Sequence, residues 1–474
     1  MERALSLGQE ALWFLNRVAP DSAAYNVVYA VRVHGALNVP VLAEAVESTV
    51  DRHDVLRSVF TEREGVPKRL ISEARLLALD VRDVGDQTES ALAALVRAEA
   101  SRPFDLPAGA PARLVLLRRT PDDSVLVFAA HHLALDLPSQ VLVLHDLFEA
   151  YRASLAGSAV NWKPLRSTYD DFVAAERRLL DSPRADELAG YWKEVCAGAG
   201  TTLSLPTDRP RPARQRLKGA SHVFQMPFDI VDKLTPASRT VRTTPARYLI
   251  GVFQALLHRY TGQSDFLTGC AAASTMGLNR EGVAGYFVNT IPLRARYGPE
   301  WTLRDVVHET GRQLREGVAR ADYPSVLLQR NLAPSGAPGL FPVLVSLISA
   351  RRGAELLSLA AGGHGAEMDH AGLRLSAFDV PQQEGQFDVT LELIRDSTAI
   401  RCALKYDTDL FDEATIHRLA EHYQAFVRAA GENPDRLVTR VPLVDDEEKA
   451  RLLAFATGQS ARPWPESGPQ QGEW

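Results

Sequence analysis

A chain of 474 residues exceeds what one ordinary hydrophobic core takes up, so two or three domain-sized units are expected. Its 46% hydrophobic and 24% charged residues exclude a disordered or fibrous protein, and a net charge of −6 argues against a main role on nucleic-acid phosphates. No window approaches the ~18 apolar residues of a membrane span, and Met1-Glu2-Arg3 opens no signal-peptide run, so a cytoplasmic protein without membrane association is expected.

Periodicity divides the chain into two α/β halves. The first opens with an amphipathic helix over Leu5 to Val18, a strand over Tyr25 to Val33 and a helix from Val39 to about His53. Strands follow at Arg113 to Arg118 and Ser124 to Ala130. The second of these runs into His131-His132, and a long helix starts near Pro138. The pattern weakens over residues 181–219, where Leu205-Pro-Thr-Asp-Arg-Pro-Arg-Pro212 has the composition of an extended crossover. Its cluster Arg209, Arg211, Arg214, Arg216 and Lys218 is either a solvated linker or a docking patch for an acidic partner. In the second half Thr244-Pro245 caps a helix reaching about Tyr260. Strands are expected at Phe266 to Cys270, Phe287 to Arg294, Pro342 to Ile348, Phe387 to Ile394 and Ile400 to Tyr406, the last two forming a hairpin. A helix from about Asp412 to Ala430 closes the fold. Beyond Ala456 the chain turns to Gly, Pro, Ser and Gln, as in a tail or an interdomain linker.

The three cysteines, Cys196, Cys270 and Cys402, lie far apart and frame neither a disulfide scaffold nor a zinc site. They are expected to be reduced, buried thiols. The 46 arginines against 7 lysines fit the coding habit of a GC-rich genome and imply no function.

The segment that carries chemistry is Ala129-Ala130-His131-His132-Leu133-Ala134-Leu135-Asp136. Neighbours on a strand point to opposite faces, so one histidine at most faces a given cleft. An imidazole held in one tautomer takes a proton from an amine or an alcohol near neutral pH. Asp136 stands where it can brace the turn or pair with an arginine. Taken alone, the pattern also fits a pair of structural histidines at a strand end.

Its neighbours narrow the choice. Ser6-Leu-Gly-Gln9 with Leu12-Trp-Phe-Leu15, then Arg52-His-Asp-Val-Leu-Arg57-Ser-Val-Phe60 and Arg102-Pro-Phe-Asp-Leu106, precede the histidine pair. Tyr169-Asp-Asp-Phe172, Tyr191-Trp192, Leu205-Pro-Thr-Asp-Arg-Pro210, Leu257-His-Arg-Tyr-Thr-Gly262, Gly285-Tyr-Phe-Val-Asn-Thr-Ile-Pro-Leu-Arg294, Phe387-Asp-Val-Thr-Leu391 and Tyr406-Asp-Thr-Asp-Leu-Phe411 follow it. In this order they resemble the motifs of nonribosomal peptide synthetase condensation domains, over residues 5–465.

The resemblance implies an α/β sandwich of two chloramphenicol-acetyltransferase-like subdomains arranged as a V-shaped pseudo-dimer. The expected divisions are residues 1–178, a crossover over 179–219, residues 220–456 and a tail over 457–474. It implies a channel in which a donor acyl carrier protein presents a thioester on its phosphopantetheine arm, while a second carrier or a free small molecule brings the acceptor. The arm enters as part of the substrate, and neither a permanently bound cofactor nor a metal is expected. The chain is expected to act as a monomer or as a module of a megasynthase. His132 is the catalytic candidate, with His131 and Asp136 in support and Arg57 as the partner of Asp136.

Three departures stand out. Leu137 and Pro138 replace the family's usual Gly and Trp after the aspartate, while Ser139 is kept; Arg320-Ala-Asp-Tyr-Pro-Ser325 lacks the usual His-Gln; and Ser274 to Gly282 departs from its pattern. Leu137 is expected to need no left-handed backbone and to narrow the channel, so that Leu137, Ser139 and Asn289 are the specificity candidates. A thioester is already activated, and the chain has no G-x-S-x-G elbow, so no covalent nucleophile is called for. Amide and ester formation remain open, as does a degenerate recruitment domain plugged by Leu137. Retention of the histidine pair argues against heterocyclisation, and the Asn289 region against epimerisation.

Overall fold

The computed structural model describes all residues except 200–202, 214, 275, 334–338, 351–354, 364, 381–384, 444–448, 451–452, 455–456 and 458–474. The expected tail beyond residue 457 and Arg214 of the basic cluster thus lie outside the described residues.

Two six-stranded sheets carry the fold. In the first, the strands lie in the order Glu367–His370, Leu373–Phe378, Asn26–His34, Asp123–His131, Ala112–Thr120 and Leu79–Asp83. All neighbours are antiparallel except the last pair. In the second, the order is Val288–Arg296, Asp265–Ala273, Val343–Ser349, Val389–Arg395, Ile400–Asp407 and Gly219–Gln225, with Val343–Ser349 parallel to both of its neighbours. A small sheet of Glu2–Ala4, Val66–Ile71 and Ser58–Arg63 flanks the first.

The expected strands are present within one to three residues of their bounds, and Val389–Arg395 and Ile400–Asp407 do form the antiparallel pair expected of a hairpin. The helix over Leu7–Val18 is closed at its start by a capping box, in which Ser6 accepts the N–H of Gln9 and the Gln9 side chain accepts the N–H of Ser6. The long helix is Leu137–Leu155, and Val141, Leu144, Leu147 and Phe148 bury its inner face against the first sheet. Helix Pro245–Thr261 is capped by Thr244 and packs Leu249, Phe253 and Leu256 into a second core with Phe266, Leu391, Leu404 and Tyr423.

Two features change the expected division. Residues 183–196 form a helix, Pro183–Cys196, inside the stretch read as crossover. Its one-turn-spaced Leu188, Trp192 and Cys196 are buried in the second core, Ala189, Tyr191 and Val195 pack against it, and the charged residues between them hide that pattern. From Leu203 to Lys218 the described residues form neither helix nor strand. Here Arg209, Arg211 and Arg216 pair with Asp412, Asp388 and Asp409 of the second half, so these arginines seam the chain to itself. The hairpin Glu367–His370 with Leu373–Phe378 crosses over to complete the first sheet, pairing with Asn26–His34. Helix Glu355–Gly362 joins the first core through Leu356, Leu357 and Leu359. A division of the sequence at residue 219 therefore does not separate the two sheets.

Candidate active site

Strand Asp123–His131 delivers the histidine pair, and its last backbone bonds set their opposite fates. His131 donates its N–H to Pro111, and His132 to Tyr25, at 2.8 and 2.7 Å. The His131 ring is buried and accepts the N–H of Leu133 on Nδ1, at 3.1 Å. Burial, then the neighbouring His132, push its pKa down to about 3, so it is a neutral bracing group. The His132 ring is half-buried and lines a cleft. Its Nδ1 lies 3.0 Å from the carbonyl of Leu135; since that oxygen only accepts, Nδ1 carries the hydrogen and Nε2 is left as the acceptor. Tyr286 stands edge-on to His132, ring centroids 5.1 Å apart. Burial, with the charge of Asp136, raises the Tyr286 hydroxyl far above its usual range and keeps it neutral.

Asp136 is buried and caps helix Leu137–Leu155. One carboxylate oxygen accepts the N–H of Ser139 at 2.9 Å, and the other accepts the N–H of Phe287 at 3.1 Å. Its own N–H donates to Gly285 at 3.1 Å. Arg57 is not its partner: the Arg57 guanidinium donates to the carbonyl of Ser72, at 2.8 Å. The cationic side chain whose charge acts with Asp136 is Arg280, stacked over Phe287 at 4.4 Å. Arg57 stands at the end of the turn Asp54–Arg57, beside the small sheet, so it holds that turn instead.

Ser139 is likewise a bracing residue. Its hydroxyl donates to the carbonyl of Gly285 at 2.8 Å, and its oxygen accepts the Gly285 N–H at 3.1 Å. The segment 285–287 passes so close to Tyr169 that a Cβ on Gly285 would come within 2.2 Å of its ring, which explains the glycine. Tyr169 in turn donates to the carbonyl of Tyr286 at 2.9 Å.

The cleft has a volume of about 570 Å³ and lies between the two sheets, with His132 on its wall. Leu12, Phe172, Met276 and Phe341 give it apolar surface, and Glu176, Asp322 and Asp388 give it carboxylates. Asn289 lines it, but its amide is engaged: Nδ2 donates to the carbonyls of Ala321 and Tyr323, both at 2.7 Å, and Oδ1 accepts the N–H of Ser325 at 2.8 Å. It thereby fixes the turn that lacks the usual His-Gln. In that turn Asp322 accepts from the Ser274 hydroxyl at 2.7 Å.

Leu137 is placed elsewhere. It opens the helix in right-handed backbone, and its side chain lines a separate hollow of about 50 Å³ with Val28, Tyr29, Phe378, Glu392 and Ile394. It does not plug the cleft that holds His132. Glu392, on the wall of that hollow, pairs with Lys405 at 2.9 Å.

Two supporting residues are not singled out by their chemistry in the sequence: Gln9 sits inside the opening motif, and Glu176 lies in none of the quoted motifs. Gln9 donates to the carbonyl of Leu133 at 2.9 Å and so ties the first helix to the histidine loop. Glu176 accepts the N–H of Leu7 at 2.8 Å, and burial pushes its carboxyl up to about 7. The apolar spacing of Tyr169, Phe172 and Val173 was the available signal for helix Tyr169–Leu180, which carries Glu176. Cys196, Cys270 and Cys402 are all buried, and burial pushes the first two thiols up to about 11 and about 12, which leaves them poor nucleophiles.

The two mixed sheets make a chloramphenicol-acetyltransferase-like fold, and solved structures share it. A four-domain nonribosomal peptide synthetase, holo-AB3403, superposes with a TM-score of 0.84 at 24% identity, over 95% of this chain and 34% of that one. The X-domain from teicoplanin biosynthesis gives 0.80 at 24% identity, over 93% and 97% of the two chains. Residues 2–453 match the condensation domain model, and the chain belongs to that family. Among curated proteins it is 33% identical over 461 residues to a linear gramicidin synthase of Brevibacillus parabrevis, covering 95% of this chain and 6% of that protein. It is 31% identical to phosphinothricin tripeptide synthetase PhsC of Streptomyces viridochromogenes, covering 94% and 41%. The chain therefore spans only a part of the relatives it matches. Among the described residues no helix is long and apolar enough to cross a membrane.

Proposed function

We propose that this chain transfers an acyl group from a carrier-bound thioester to an acceptor amine, as one step of nonribosomal peptide or hybrid polyketide assembly. The observation that carries the reading is the tautomer of His132: Nδ1 is held by the Leu135 carbonyl, leaving Nε2 as the acceptor of a histidine on the cleft wall. The amine nitrogen attacks the thioester carbonyl carbon, the C–S bond breaks, and an amide and a free phosphopantetheine thiol result. The proton lost by nitrogen passes to Nε2 and then to the departing sulfur. An α-amine with a reference pKa of about 8 is largely protonated at neutral pH, so a proton acceptor has work to do there.

The cleft between the sheets supports two tethered reactants, one from a donor carrier and one from an acceptor carrier or a free amine. Its size suits arms that enter as substrate. His131, Asp136 and Ser139 hold His132 in place by hydrogen bonds to backbone. The buried, neutral cysteines favour direct transfer over a covalent enzyme intermediate.

The test is intact-mass analysis of donor and acceptor carrier proteins after incubation with the chain under single-turnover conditions. Acyl transfer to the acceptor carrier is expected, and His132→Ala should slow it by about 10²–10⁴. Near wild-type transfer by a folded His132→Ala protein would overturn the role of His132. No transfer by the wild type with any donor carrier and amine acceptor would overturn the reading itself.

A further inference from the structure

We propose that His145, Glu149 and His370 form a site for a divalent transition-metal ion, with zinc as the best match, which fastens the hairpin Glu367–Phe378 to helix Leu137–Leu155. The site is separate from the cleft and does not depend on the acyl-transfer reading.

His145 and Glu149 are four residues apart on that helix and so share one face of it. His370 ends the strand Glu367–His370, at the edge of the first sheet. The sequence separates them by more than 200 residues; the crossover of the hairpin brings them together. Their ligand atoms lie within 4.8 Å of one another. Nitrogen and oxygen ligands about 2.0–2.1 Å from tetrahedral zinc sit about 3.4 Å apart, so side-chain shifts of roughly 1 Å close the triangle. All three residues are half-buried, which leaves an approach from solvent.

Two further observations point to a ligand. The Nε2 of His370 is buried and has no hydrogen-bond partner among the described residues, an expensive state for an imidazole nitrogen unless something binds it. The His145 Nδ1 faces a carboxylate oxygen of Asp146, at 3.4 Å, which favours a hydrogen on Nδ1 and a lone pair on Nε2. Asp146 is itself anchored by Arg52 and His53, both at 2.9 Å. A carboxylate orienting the far nitrogen of a ligating histidine is the usual outer shell of a zinc-bound imidazole.

Two imidazoles and a carboxylate suit zinc and neighbouring first-row cations, and leave at least one position for water. The competitor is Arg152, which pairs with Glu149 at 2.6 Å. Its side chain is 59% exposed and moves into solvent at little cost. An ion bound here would hold the hairpin whose far end, Ala377 and Phe378, walls the hollow around Leu137.

The experiment uses the whole chain, stripped with a chelator and titrated with Co²⁺ and then with Zn²⁺. The expected result is one equivalent of Co²⁺ giving visible d–d absorption, displaced by one equivalent of Zn²⁺, and a melting temperature that rises with Zn²⁺. His370→Ala and Glu149→Gln should each weaken binding by about tenfold or more and abolish the thermal shift. Should His370→Ala fail to fold by circular dichroism, Glu149→Gln, a near-isosteric change on a half-buried helix face, decides. Absence of a Co²⁺ band, or a band and a thermal shift unchanged in a folded variant, would overturn the site.

Discussion

The carboxylate of Asp136 accepts the backbone N–H of Phe287 across 151 positions of sequence, at 3.1 Å, while its other oxygen caps the helix that follows the histidine pair. One side chain thus sets the start of helix Leu137–Leu155 and pins the second half of the chain against it. Removing it uncaps the helix and strands the buried N–H of Phe287.

Asp136→Ala is therefore expected to destabilise the fold by about 2–4 kcal/mol, the sum of a lost cap and a buried unpaired donor. Asp136→Asn keeps one acceptor oxygen and should cost about half as much. Denaturant unfolding of the three proteins checks the order; equal stability of wild type and Asp136→Ala would contradict it.

Gly285 lies against the Tyr169 ring, where a Cβ would be only 2.2 Å from the nearest ring carbon. Gly285→Ala must push the ring or the 285–287 segment aside, at about 1–3 kcal/mol. Because Ser139 and Asp136 both bond to that segment, the His132 loop should be disturbed with it. Lower stability together with slower transfer is the expected pair of results, read by thermal unfolding and single-turnover rate.

Leu137 lines the small hollow instead of the His132 cleft. Leu137→Gly is expected to cost about 1–2 kcal/mol through lost apolar burial and a weaker first helical turn. It should leave the affinity of a phosphopantetheine-linked amine for the His132 cleft unchanged. Calorimetric titration with such a ligand, beside a melting curve, separates the two effects. A large gain in affinity would mean that the side chain obstructs the cleft after all.

Glu176 supplies a pH signature. Burial raises its carboxyl from 4.5 to about 7, opposed by the Leu7 N–H and reinforced by Glu10. The folded chain then holds a proton that the unfolded chain has lost, so this group's contribution to stability falls as pH rises from about 4.5 to 7. Glu176→Gln, which still accepts from Leu7, should flatten that slope and stabilise the protein at pH 8 by up to about 3 kcal/mol. Unfolding free energies across pH 4.5 to 8 test the sign; an unchanged slope would refute it.

How much was legible in the sequence follows from the range of the physics. Local periodicity located the strand that ends at His131, the helix that starts at Leu137 with Pro138 in its first turn, and the Thr244 cap, because 2.0- and 3.6-residue patterns act over a few positions. It missed Pro183–Cys196, whose apolar residues are interspersed with charged ones, and it missed the short strands Glu367–His370, at the sheet edge, and Leu373–Phe378 beside it. Leu373–Phe378 gains its stability from the partner strand Asn26–His34, and Glu367–His370 from Leu373–Phe378, pairings that no local pattern reveals.

The site divides the same way. Motif order by itself identified the histidine pair and the aspartate, and their chemistry follows from residue type. The distant partners depended on tertiary structure: Asp136 bonds to Phe287 rather than to Arg57, Leu137 turns to a different hollow, and His370 reaches His145. A hydrogen bond is decided within about 3 Å of space, and positions 150 to 230 residues apart reach that range only after two sheets have packed.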